Sequence, residues 1–176
     1  MNFALVHLMV NQVPLWGATF AAVLFLCAAL TIERENWVHA GLVILSISVF
    51  GAIAAFLSGV PAVDAVMSAP RASGKALSQH YLRATMASGF VLLSAVAGTT
   101  AFLHGRGRDE PFSRRTIVVL MVTSAIQALV IAWTAQAGGR INHLELQEAQ
   151  DLQQGLAPPA EPTIVHTETR DASTTE

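Results

Sequence analysis

Three histidines, His7, His80 and His143, flank apolar stretches of a 176-residue chain that is 53% hydrophobic and only 12% charged. A neutral imidazole offers one ring nitrogen as a ligand for iron, copper or zinc. Two histidines from different helices can sandwich a haem, whose potential is then set by axial ligation and burial. Three histidines with a carboxylate such as Glu145 can instead hold copper or zinc. Arg83 and Arg140 stand next to this set in sequence and could pair with haem propionates. The chemistry expected is therefore that of a haem b or metal centre passing electrons at a membrane face. The chain has no HxxxH, CxxCH or HExxH pattern. Ser58, Ser68 and Ser73 read as turn and cap residues rather than nucleophiles, so an enzyme acting by itself is the weakest reading. The plainer alternative is a cofactor-free accessory subunit of a larger membrane complex, in which the same histidines only hydrogen-bond at the headgroup level.

The elements that must position these residues are membrane spans. Crossing the ~30 Å hydrocarbon layer takes about 20 residues at about 1.5 Å each. Four uncharged or nearly uncharged runs meet that requirement, over about 13–32, 37–60, 80–104 and 116–137. The expected fold is all-α, an integral membrane four-helix bundle over 1–146 followed by a polar tail over 147–176. That tail contains Ala157-Pro158-Pro159-Ala160-Glu161-Pro162 and then mostly Thr, Glu and Asp, so it is expected to be disordered.

Local signals refine the spans. Pro14 suits the first turn of a helix, and a short interfacial helix over 3–10 is expected ahead of it. A cleaved signal peptide is disfavoured, because no Lys or Arg precedes Arg34. Asn36 reads as the N-cap of the second span and Pro61 as its end. Gly51, Ala55 and Gly59 recur every four residues, a small-residue stripe that lets another helix approach. The third helix is expected to begin near Ser73 or Gly74, with His80, Ala84, Ala87, Val91, Ala95 and Gly98 on one face. Gln127 is costly at mid-bilayer unless bonded, so it should face the bundle. Gly138-Gly139 should end the last helix and turn His143 back toward the surface.

Orientation follows from the arginines. The first and third loops carry Arg34, Arg106, Arg108, Arg114 and Arg115, while the other side carries Arg71, Lys75 and Arg140 near the membrane. Positive loops stay in the cytoplasm, so a multi-pass inner-membrane protein with both termini in the periplasm is expected. His7, His80 and His143 then share the outer side, and His39 and His104 the inner one. The formal charge of −2 argues against a nucleic-acid partner. The partners expected are the bilayer and either a redox partner or a larger membrane complex. The lone Cys27 excludes an internal disulfide.

Two segments carry a family resemblance. Val6-His7-Leu8-Met9-Val10-Asn11-Gln12-Val13-Pro14 resembles the His-x-x-x-Asn-His-x-Pro opening of a family of uncharacterised bacterial four-helix inner-membrane proteins. Leu57-Ser58-Gly59-Val60-Pro61-Ala62 is similar to that family's Thr-Gly-x-Pro-Ala turn, and His80 matches the histidine opening its third helix. Trp133 to Glu145 resembles its closing Trp-x-Ala-x-x-Gly-Gly-x-Ile-Arg-His-x-Glu. The likeness spans roughly residues 5–146 and implies a four-helix membrane architecture without fixing an activity. Gln12 stands where a second N-terminal histidine is usual, and Asn142 where arginine is usual.

Overall fold

The computed structural model describes residues 3–67, 74–106, 111–139 and 141. Five helices account for nearly all of them: α1 (Phe3–Val10), α2 (Gln12–Leu30), α3 (Arg34–Met67), α4 (Gly74–Gly105) and α5 (Arg114–Gly139). The first two make one span. Pro14 has no N–H, which takes the helical donor from the carbonyl of Val10 and breaks the regular pattern there. Asn11 nevertheless keeps right-handed angles, φ −64° and ψ −21°, and its N–H donates to His7 O at 3.0 Å. The expected separate interfacial helix is thus the first two turns of the first span, which runs from Leu5 to Leu30.

The second span starts earlier and ends later than its sequence suggested. α3 begins at Arg34, so Asn36 lies within its first turn and is not the cap. It also runs through Pro61 to Met67. The proline deprives only the carbonyl of Leu57 of its donor, and the helix continues through this turn with Ala62 buried. The start of α4 at Gly74 agrees with the sequence reading.

Helix α2 lies between α3 and α5, α5 packs on α4, and α1 lies along α3. The interior has three layers. Phe25, Val38, Leu45, Ile117 and Leu120 form an apolar cluster toward the first and third loops. Ala87, Val91 and Ile131 form a smaller one toward the other end. Between them lies a polar layer of Ser48, Ser94, Ser124 and Gln127, all fully buried. Gln127 Nε2 donates to Ser48 Oγ at 3.0 Å, Ser48 Oγ to Pro14 O at 2.7 Å, and Ser94 Oγ to Thr123 O at 3.2 Å. Gln127 faces the bundle, as expected of a mid-bilayer amide.

The small-residue stripe on α3 faces the first span. A Cβ on Gly51 would stand 2.6 Å from Val13 Cγ1, so only hydrogen fits there. The outside of the bundle is apolar. In each of the four spans 28% of the most apolar window is buried, which leaves side chains such as Phe20, Phe50, Leu93 and Leu129 facing outward. A belt of that kind belongs in hydrocarbon rather than water. The chain is a multi-pass integral membrane protein built as a four-span helical bundle. The compact unit covers Met1–Leu144, and the polar segment expected to be disordered lies outside the described residues.

Candidate paired-histidine site

His7 and His80 are far apart in sequence and meet in space. Their ring centroids are 6.4 Å apart with planes at 87°. His7 is carried by α1 along the face of α3, and His80 by the second turn of α4 against the end of α5.

Each ring is seated in the same way. His7 Nδ1 lies 2.9 Å from Ala55 O, and His80 Nδ1 lies 3.1 Å from Thr134 O. A carbonyl only accepts, so Nδ1 is the protonated nitrogen in both rings and Nε2 keeps the lone pair. Ser58 Oγ, 3.3 Å from His7 Nδ1, adds a second contact. Four residues beyond each accepting carbonyl stands a glycine. A Cβ on Gly59 would come within 3.1 Å of His7 Cε1, and a Cβ on Gly138 within 3.1 Å of His80 Cε1. A helical carbonyl already serves the N–H four residues on. Glycine at that position leaves room for a second donor to reach the same oxygen. The Nε2 atoms lie farther from these glycines, at 3.9 and 4.0 Å.

Both rings line a cleft of about 70 Å³ together with Asn11, Ala84, Ala87 and Thr134. A water needs only ~10–15 Å³ of such space, whereas sites for organic cofactors run to ~300–1,000 Å³. The cleft is too small, in this arrangement, for a haem macrocycle, and among the described residues no third His, Cys, Asp or Glu joins the two rings as a ligand set. Bonds of about 2 Å to Nε2 and a ring radius of roughly 1 Å place each centroid about 3 Å from a shared ion, so two such rings stand about 5–6 Å apart. The observed 6.4 Å is longer than that, so the rings would have to draw together to share an ion.

Arg83, just after His80 on α4, is already engaged. It donates from Nη1 to Trp133 O at 3.0 Å, and its guanidinium carbon lies 4.3 Å from the centre of the Trp133 ring. It clamps α4 to the C-terminal part of α5, where helix carbonyls favour a cation. The propionate-pairing role expected for Arg83 would have to displace these contacts. Arg140, His143 and Glu145, also expected at the site, lie outside the described residues. Ile141 is the last described residue, buried and with its N–H donating to Gly138 O at 3.2 Å.

His39 and His104 occupy the opposite end, as expected. Each Nδ1 bonds the carbonyl one turn back in its own helix, Glu35 O at 2.8 Å and Thr100 O at 3.1 Å, and both are exposed. The search of the sequence for ligands missed the seats themselves. The signal was present in the stripe ending at Gly59 and in Thr134 standing four residues before Gly138.

Fold and site together define a four-span integral membrane protein with two histidines clamped at one end of the bundle. No family model matches the chain, and no curated protein or solved structure matches it either.

Proposed function

We propose that this membrane protein binds a transition-metal ion, copper or zinc, between His7 and His80. The observation that carries the reading is the double seat: both Nδ1–H groups are spent on backbone carbonyls, leaving two lone-pair nitrogens on rings that share one cleft. Metal-ligating histidines characteristically donate the other ring N–H to a carbonyl or carboxylate, which fixes the tautomer and the ring. His143 follows buried Ile141 by two residues, at most about 7 Å of chain, and is the candidate third ligand with Glu145 as a fourth. Copper in such a site would pass electrons and zinc would not.

The test is elemental analysis and an absorption spectrum of full-length protein purified without chelator. About one copper or zinc per chain is expected, and a loss of about tenfold or more in affinity when a ligand is removed. His80→Asn is the informative variant, since its amide can still donate to Thr134 O while Nε2 is gone. His39→Ala and His104→Ala should keep the metal. A Soret band would show instead that the rings part to admit a haem b. Protein with neither metal nor haem would leave the two histidines as interhelical ties, the role expected in a cofactor-free accessory subunit.

A further inference from the structure

The opposite end of the bundle holds a second cleft, larger and different in chemistry. It lies between the end of α4 and the start of α5 and encloses about 530 Å³. Its mouth is formed by His104, Arg115, Ser113 and Thr116, and its inner wall by apolar residues including Ala97 and Val119. Among the described residues no acidic side chain lines it. The Glu35 carboxylate accepts the N–H of Phe112 at 2.7 Å and so anchors the wall. Phe112 itself is buried, stacked edge-on against His39 at 5.6 Å and packed over Gly105.

The mouth has donors to spare. Among the described residues Arg115 has no ion-pair partner, and its guanidinium presents five N–H donors in a fork that matches a phosphate. Ser113 Oγ and Thr116 Oγ1 lie 2.9 Å apart, and Ser113 Oγ also accepts the Thr116 N–H at 3.2 Å. Two hydroxyls sharing one bond donate one hydrogen between them and leave the other over. A cationic, donor-rich mouth at a span end above an apolar throat running into the hydrocarbon has the polarity of one kind of molecule.

We infer that this cleft binds an anionic phospholipid, its phosphate at Arg115 and the Ser113–Thr116 hydroxyls and one acyl chain along Ala97 and Val119. Basic pockets between spans hold anionic headgroups in this way, with about 1 kcal/mol from each nearby basic residue. A free anion would satisfy the mouth but gain nothing from the throat. A zwitterionic lipid would fill the throat but bring its own cation to a positive mouth.

The inference is tested on the full chain in detergent micelles, titrated with phosphatidylglycerol and followed by native mass spectrometry and thermal melting. Phosphatidylglycerol should bind and raise the melting temperature. Phosphatidylcholine with the same chains, and glycerol 1-phosphate without chains, should do neither. Arg115→Gln should weaken binding about fivefold, with unchanged melting in the absence of lipid. Arg114→Gln, one residue away and not in the cleft, should leave it unchanged. Ala97→Leu, which narrows the throat, should weaken it as well. Equal losses at Arg114 and Arg115 would mean diffuse attraction to a basic surface and overturn the inference. So would equal binding of phosphatidylcholine, an equal effect of glycerol 1-phosphate, or no effect of Ala97→Leu.

Discussion

Gln127 shows how a single polar side chain is accommodated at the centre of this bundle. Its amide nitrogen donates to Ser48 Oγ, which hands its own hydrogen to Pro14 O, so three helical segments are joined. Its carbonyl oxygen and the hydroxyl oxygen of Ser124 are buried without a protein partner. In a membrane an interhelical hydrogen bond contributes about 0.6 kcal/mol on average, while an unpartnered buried polar atom costs about 1–3 kcal/mol. The second term is larger. Gln127→Leu is therefore expected to melt at or slightly above the wild-type temperature in detergent. Ser48→Ala should do the opposite: it strands both ends of the Gln127 amide and should cost about 1–3 kcal/mol. A marked loss in Gln127→Leu would show that the free oxygens are satisfied by internal water. That Gln127 faces inward was legible in the sequence, because an amide among apolar neighbours has nowhere else to go. Its partner was not, since Ser48 is one of several serines on α3 and only the packed register selects it.

Helix contacts turn on which glycines face a neighbour. A Cβ on Gly17 would stand 2.7 Å from Ser48 Cβ and 3.0 Å from Ser48 Cα. Backbone cannot yield as a side-chain tip can, so Gly17→Ala should drive α2 and α3 apart and cost about 1–3 kcal/mol. Gly89 has no atom within 4 Å of a built Cβ. Gly89→Ala should be neutral or stabilise by up to ~1 kcal/mol through helix propensity alone. The same contrast separates the last two residues of α5. Gly138→Ala should push the His80 ring off Thr134 O and weaken metal binding, whereas Gly139→Ala, with open space around it, should not. Paired melting curves and metal titrations of these variants check all four expectations. The spans themselves were legible from charge-free runs, because hydrocarbon tolerates little else. Their ends were not. A proline marks where one hydrogen bond is lost, and α3 continues past Pro61 all the same. The seats for His7 and His80 went unread because glycine periodicity indicates close approach without indicating what approaches.

The whole molecule presents two unlike ends. One holds the histidine pair, with Arg83 bound to α5; the other holds Arg114, Arg115 and the cleft behind Phe112. Four spans bring the start of α1, the start of α4 and the end of α5, and with them the histidine pair, to one end of the bundle, and the end of α4 and the start of α5 to the other. The membrane defines which face is which through the arginines. The first and third loops carry five, against four basic residues on the histidine side once Arg83 is counted with Arg71, Lys75 and Arg140. Such an excess is retained in the cytoplasm, and the inner leaflet there is the one rich in anionic lipid. The histidine pair is thus expected to open toward the periplasm. Single cysteines at Ser113 and Ser173 in a Cys27→Ser background test this directly. In intact cells a membrane-impermeant thiol reagent should label position 173 and spare 113 until the cells are permeabilised. Labelling of 113 alone would reverse the orientation and turn the histidine site to the cytoplasm. Labelling of both in intact cells would contradict the crossing of α5, since a single crossing between the two positions puts them on opposite sides of the membrane.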